Sequence, residues 1–287
     1  MAAEYLHGQP VADAVLETLR DDVDTLTRCS RPPCLGTILV GNEAASEGYV
    51  RKKHQACAAL GVTARHQALP ACATQVDLQQ AVQRFNEDDS VDAFLIQHPL
   101  PGHLDYAAAV AAMLPEKDAD GLHPANLGRL VLQAPGPVPA TPAGILAMLQ
   151  HYGIEVAGQE VVVIGRGPTL GRPLALLLAQ KMAGANAAVT VVHSGVPDLG
   201  RLTRRADVVV AAAGVPSIVT PGMVRPGVVA VSGGITWRGK RLLPDVDESV
   251  AGVASWITPR LGGVGPTTVA MLLRNAVHAA QRRKPDA

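Results

Sequence analysis

Short apolar runs alternate along the chain with longer stretches whose apolar residues recur at helical spacing. Residues 35–40, 92–97, 161–164, 188–192, 207–212 and 228–231 read as strands. Their near-continuous apolar character suits parallel strands covered on both faces. Residues 10–28, 46–60, 75–86, 142–151 and 170–182 read as helices. Regular strand–helix alternation predicts an α/β protein with parallel sheets. A last helix opens at Pro266, a residue type favoured in the first turn. Val269, Leu272, Leu273, Ala276, Val277 and Ala280 then form one apolar stripe, so this helix packs on a core.

The stretch QAPGPVPATP, residues 133–142, breaks the alternation midway and reads as a connector. The expected organisation is a first α/β domain over residues 1–140, rejoined by the helix of residues 266–287. A second domain spans residues 141–265.

The second half carries the clearest chemistry. In VVVIGRGPTLGRP, residues 161–173, an apolar strand runs into Gly165, Gly167 and Gly171, and a helix follows. Glycines let the backbone approach an anion, and the free N–H groups of the helix start hold it. The spacing GxGxxxG is one residue longer than the commonest dinucleotide fingerprint. An NAD site wants a carboxylate about 20 residues on, to hold the ribose hydroxyl. NAAVTVVHSG, residues 186–195, has none and ends in His193 and Ser194. With Arg166 inside the loop, these donors suit the 2′-phosphate of NADP. A solvated loop arginine and a strand-end histidine would leave the same trace.

Composition narrows the class. Twenty-five basic residues balance 25 acidic ones, which argues against a nucleic-acid or membrane-surface partner. No apolar run approaches the roughly 20 residues of a membrane span. The start MAAEYLHGQP has no basic, then apolar, signal pattern, so a cytoplasmic protein is expected. Cys29, Cys34, Cys57 and Cys72 contain no CxxC pair and read as thiols of a reducing compartment.

Three segments of the first half offer further chemistry. Ser46 is placed to cap a helix on which Tyr49 and Lys53, at i and i+4, share a face. A lysine beside a tyrosine at a pocket wall can lose its charge and act as an acid or base; a solvated pair fits the spacing equally. Gln97 ends an apolar strand, where α/β proteins place ligands. PEKDADGL, residues 115–122, packs three acids and a lysine into one loop. Its Asp118 and Asp120 have only His123 as a neighbouring ligand type, so no metal is expected.

Taken in order, these segments resemble the bifunctional methylenetetrahydrofolate dehydrogenase/methenyltetrahydrofolate cyclohydrolase family. The matching residues run from Gly41 and Ser46 through Tyr49-Val50-Arg51, Lys53, Gln97, Pro99-Leu100, Glu116-Lys117-Asp118 and Asp120-Gly121-Leu122. They continue through Asn126, Gly128-Arg129-Leu130, Thr141-Pro142, Gly144, Gly165-Arg166, Gly171, Pro173 and His193-Ser194, and end in Ile257-Thr258-Pro259 and Gly262-Gly263-Val264-Gly265-Pro266.

The resemblance implies a homodimer of two-domain chains, the second domain Rossmann-like, with a tetrahydrofolate derivative in the cleft between domains. It implies a catalytic set of Lys53, Tyr49, Gln97 and Asp120, with Asp120 binding the pterin. NADP contacts fall on Thr141, Gly165, Arg166, Gly167, Gly171, His193, Ser194 and Ile235. Substrate contacts add Gly262, Gly263 and Pro266 to the catalytic set. The implied chemistry is hydride loss from 5,10-methylenetetrahydrofolate to NADP, then hydrolysis of the 5,10-methenyl product to 10-formyltetrahydrofolate.

The chain also departs from the family pattern. Ser232 stands where a strand-end aspartate is usual, His98 replaces an apolar residue, and Gly167 replaces a small polar one. Pro244 stands for a glycine, and Arg260-Leu261 for a segment that ends in proline. Most of these changes fall in the cofactor half. They open two alternatives: a paralogue with weakened dehydrogenase activity or a shifted folate-like substrate, and a catalytically silent binding protein.

Overall fold

The computed structural model describes residues 3–42, 44–239 and 241–283. The first half runs β1 (Glu4–Tyr5), α1 (Gly8–Glu17), α2 (Arg20–Cys29), β2 (Cys34–Val40), α3 (Ala44–Leu60), β3 (Thr63–Leu69), α4 (Gln75–Glu87), β4 (Ala93–Ile96), α5 (Tyr106–Ala111), α6 (Pro124–Leu132) and α7 (Ala140–His151). The second runs β5 (Glu160–Ile164), α8 (Gly171–Leu178), β6 (Ala188–Val192), α9 (Gly200–Thr203), β7 (Val208–Ala211), β8 (Val229–Ser232), β9 (Ile235–Arg238), β10 (Arg241–Pro244), β11 (Trp256–Ile257) and α10 (Val264–Gln281).

The chain forms two compact units, one of Asp13–Ala140 with residues 269–283, the other of residues 3–12 with Thr141–Thr268. The expected grouping of residues 1–140 is therefore corrected at its start. β1 pairs in parallel with β11, Glu4 opposite Trp256 and Tyr5 opposite Ile257, so backbone hydrogen bonding draws these residues into the later unit. The last helix also starts two residues earlier than Pro266, and its residues from Val269 onward belong with the first unit.

In the first unit a three-stranded parallel sheet has the order β3-β2-β4. The chain leaves β2 for β3 on one side and places β4 on the other. The sheet thus has a topological switch point at the carboxyl ends of β2 and β4, the usual ligand position in such sheets. In the other unit a six-stranded sheet has the order β1-β11-β8-β7-β5-β6, with a separate β9–β10 hairpin. Every pairing in the six-stranded sheet is parallel. Its switch point lies between β5 and β7. Valine, alanine and isoleucine from these strands, including Val162, Ile164, Val209 and Ala230, fill the core beside it.

Some element boundaries differ from the sequence reading for local reasons. The helix expected over residues 10–28 is two helices. The Thr18 hydroxyl donates to the Val15 carbonyl at 2.7 Å, and the Leu19 N–H turns back to Leu16, which ends α1 without proline or glycine. α3 starts at Ala44, so Ser46 is a buried residue inside the first turn rather than its cap. α8 stops at Leu178, whose carbonyl accepts from Ala187 N–H as the chain returns to β6.

Candidate active site

At the switch point of the three-stranded sheet, α3 and the end of β4 bring two polar side chains into the core. Lys53 and Gln97 are only 8% and 7% exposed. The Lys53 ammonium or amine Nζ donates to Gln97 Oε1 at 2.9 Å. Gln97 is itself fixed: its backbone N–H donates to Ile38 on β2, and its Nε2 donates to the His98 carbonyl at 2.8 Å. With Nε2 committed to a carbonyl, the amide oxygen must face Lys53. An amide oxygen is a neutral acceptor, so it does not require a charged lysine.

Burial sets the electrostatics. It pushes the Lys53 pKa below the ordinary lysine value, while Asp120 pulls the other way. Asp120 is pushed up to about 6, chiefly by burial, with Lys53 opposing and Asp118 adding to the rise. Cys57, one turn beyond Lys53, is a buried thiol pushed up to about 12, so it stays protonated. The result is a lysine shifted down and a carboxylate shifted up, both chiefly by burial, a pattern typical of acid–base sites.

Asp120 is presented by a loop that Asp118 organises. The Asp118 carboxylate accepts from Gly121 N–H at 2.9 Å, His123 N–H at 2.7 Å and Asn126 Nδ2 at 2.9 Å. Asn275 on α10 donates to the Ala119 carbonyl at 2.8 Å and to Val138 at 3.0 Å. Tyr49 lies on α3 one turn before Lys53 and is half-buried, whereas Lys52 is exposed.

Near this cluster, Tyr106 escaped the sequence reading, which named His98 only as a departure from the family pattern. The Tyr106 phenol is held protonated by burial and by the nearby Asp120 and Asp118. The His98 ring meets the Tyr106 ring edge-on, with centroids 5.0 Å apart. An isolated tyrosine after a Pro-rich turn gave no periodic signal for this.

The cofactor candidates gather at the other switch point. Gly165 has φ +119°, and a Cβ there would overlap the Ala212 carbonyl. A Cβ on Gly171 would overlap the Gly165 carbonyl. Both glycines are therefore required by close backbone approach. Gly167 instead faces open space, with nothing within 4 Å of its Cβ position.

His193, at the end of β6, accepts from Gly195 N–H at Nδ1, 3.1 Å away. A neutral imidazole in that arrangement carries its proton on Nε2. Arg166 Nη1 lies 3.3 Å from Nε2. Two donors so placed call for a shared acceptor, and no carboxylate ends β6 to supply one. An anionic oxygen such as that of a 2′-phosphate fits this donor set, as the glycine cradle fits a pyrophosphate. Ser194 is exposed beside His193.

The remaining candidates are more scattered. Thr141 sits early in α7 and accepts from Thr268 Oγ1 at 3.3 Å. Ile235 opens β9 and is 41% exposed. Gly262 accepts from Gly8 N–H at 2.7 Å, close to Gly263. Pro266 lies in the first turn of α10. Of the family departures, Leu261 is 62% exposed. Ser232 is fully engaged: its hydroxyl donates to Gly234 O at 3.1 Å and accepts from Asp245 and Val246 N–H at 2.9 and 3.3 Å.

Comparison with known proteins places this geometry. The family model of the tetrahydrofolate dehydrogenase/cyclohydrolase catalytic domain matches residues 6–120, and that of the NAD(P)-binding domain matches residues 139–284. The bifunctional protein FolD of Syntrophotalea carbinolica is 63% identical over 283 residues, covering 99% of this chain and 98% of that protein. The chain belongs to the tetrahydrofolate dehydrogenase/cyclohydrolase family. Within it, the bifunctional FolD enzyme of Campylobacter jejuni has the same fold, with a TM-score of 0.92 at 37% identity across 99% of this chain and 100% of that one. The Trypanosoma brucei FolD, solved with NADP cofactor and an inhibitor, also gives a TM-score of 0.92, at 39% identity over 98% of each chain. The family's two domain models thus fall on the two halves that carry the lysine cluster and the glycine loop.

Proposed function

We propose that this chain is a bifunctional one-carbon folate enzyme acting as a homodimer. It oxidises 5,10-methylenetetrahydrofolate to 5,10-methenyltetrahydrofolate with NADP, and hydrolyses that product to 10-formyltetrahydrofolate. The observation that carries the reading is the buried Lys53, held by Gln97 and coupled to Asp120, in the half matched by the family's catalytic domain.

Bound NADP supplies the hydride acceptor for the first step; the protein holds it through the Gly165–Gly171 cradle and the Arg166 and His193 donors. The second step needs water at a cationic, amidinium-like carbon. As oxygen bonds to that carbon, the neutral Lys53 Nζ takes a proton from the water. Lys53 returns it to the ring nitrogen as the carbon–nitrogen bond breaks, and the remaining hydroxyl loses its proton to solvent as the formyl group forms. Gln97 keeps the lysine lone pair aimed, Tyr49 lines the same helix face, and Asp120 holds the pterin.

Absorbance-monitored turnover tests both steps. Loss of methenyltetrahydrofolate without added cofactor is expected, and its absence would refute the cyclohydrolase assignment. NADP should be preferred over NAD by at least roughly tenfold, since a charge-assisted contact contributes about 1.5–3 kcal/mol. Arg166→Ala should shrink that preference; equal use of NAD by the parent would remove the 2′-phosphate assignment.

The electrostatic coupling gives a signed pH test. Asp120 favours the charged form of Lys53, so removing the carboxylate lowers the Lys53 pKa further. The neutral amine then persists to lower pH. In Asp120→Asn the acid limb of the hydrolysis profile should therefore move down, alongside weaker folate binding. A limb at the parental pH would separate Asp120 from Lys53.

A further inference from the structure

The turn that follows β7 lies against the glycine loop. Ala212 N–H donates to Ile164 O at 2.7 Å, and the Ala212 carbonyl occupies the space a Gly165 side chain would need. This turn is one wall of the switch point between β5 and β7. Its shape is set from far along the chain. The backbone N–H groups of Ala213 and Gly214 both donate to Asp245 Oδ2, each at 2.8 Å. Consecutive N–H groups converging in this way form a concavity that binds anions. Here the chain's own carboxylate fills it.

Asp245 is completely buried, and its second oxygen, Oδ1, has no hydrogen-bond partner among the described residues. No cation faces it in an ion pair among those residues. A buried carboxylate with one oxygen unpaired is costly. The surroundings nevertheless make room for it. A Cβ on Gly234 would overlap Asp245 Oδ2. The Ser232 hydroxyl takes the Asp245 and Val246 N–H groups without bringing in a second negative charge. Ser232 N–H in turn donates to Thr258 Oγ1 at 2.8 Å, tying the node to the ITP segment.

We propose that Asp245 is a positioning residue for the NADP-dependent step: its carboxylate holds the 213–215 turn as the wall against which the glycine loop seats the cofactor. The inference rests on the proposed function, and it confines Asp245 to one of the two activities. Lys53, Gln97 and Asp120 lie in the other unit, with no side-chain hydrogen bond to this node among the described residues.

The test uses the full chain with Asp245→Asn and Asp245→Ala. NADP affinity is read by calorimetry and hydrolysis of methenyltetrahydrofolate by absorbance. Asparagine keeps one neutral acceptor for the turn but forces an amide N–H₂ into the place of Oδ1. A roughly tenfold loss of NADP affinity is expected for it, because charge-assisted bonds are about twice as strong as neutral ones. Alanine should lose more, with hydrolysis at the parental rate in both. NADP bound within twofold of the parent by the asparagine variant overturns the proposal, even if the alanine variant does not fold. So does a parallel fall in hydrolysis, which marks a general structural role. Parent protein that binds no NADP fails the proposed function as well, whereas equal binding by parent and variant fails this inference alone.

Discussion

Lys53→Met should abolish the opening of methenyltetrahydrofolate while leaving NADP affinity at the parental value. Methionine matches the length of the lysine stem and is at home in a buried site, so the fold should survive; circular dichroism checks this. What disappears is the amine that takes the proton from water. Positioned acid–base groups contribute about 10²–10⁴-fold to rate, and a loss of at least that size is expected. The variant also leaves Gln97 Oε1 without its donor, and Asp120 without the charge that holds its pKa down. Asp120 should then titrate above about 6, which a pH series on folate binding would detect. A variant hydrolysing at the parental rate would remove Lys53 from the mechanism.

Gly165→Ala is the corresponding test of the cofactor half. The substitution meets two obstacles at once. At φ +119° an L-residue is strained, and its Cβ would overlap the Ala212 carbonyl, which cannot move without leaving the β7 turn. Strain and overpacking each cost about 1–3 kcal/mol. Expressed in cofactor binding, that is a loss on the order of a hundredfold in NADP affinity. Gly167→Ala is the control, because its Cβ position is open. It should leave thermal stability within about 0.5 kcal/mol of the parent. Any loss of NADP binding in that variant would therefore report contact with the ligand itself. Parental NADP binding by Gly165→Ala would mean that the loop is not the phosphate site.

The central strands were legible because a parallel strand covered on both faces must be apolar throughout. β2, β5, β7 and β8 show that directly in sequence. β3, TARHQAL, did not, since it is an exposed edge strand that among the described residues pairs only with β2, and it has no apolar face to display. β1 and β11 are two residues each, too short for any periodicity. The split between α1 and α2 depends on one threonine hydroxyl turning back on the helix, which no helix-breaking residue announces.

The site divides in the same way. Tyr49 and Lys53 were visible through helical spacing, and Gln97 through its place at a strand end. That Lys53, Gln97 and Asp120 act together came only from the family resemblance, because spacing cannot join segments so far apart in the chain. Asp245 left no local trace, as its carboxylate's partners are the backbone amides of Ala213 and Gly214. Only Gly234, kept free of a side chain by that carboxylate, hints at it.

The seating of β1 beside β11 has a consequence for how the molecule is made. β1 and its strand partner lie far apart in the chain, Glu4 opposite Trp256, so β1 is synthesised long before β11. The six-stranded sheet therefore cannot close until β11 has been made, and such distant pairings are slow to form. Until then β11, or β8 before it, has an unpaired edge able to recruit strands from other chains. A fragment cut at the connector, carrying the cofactor half alone, would keep that edge bare permanently. Such a fragment should express less cleanly than one bearing the N-terminal strand as a grafted or co-expressed peptide.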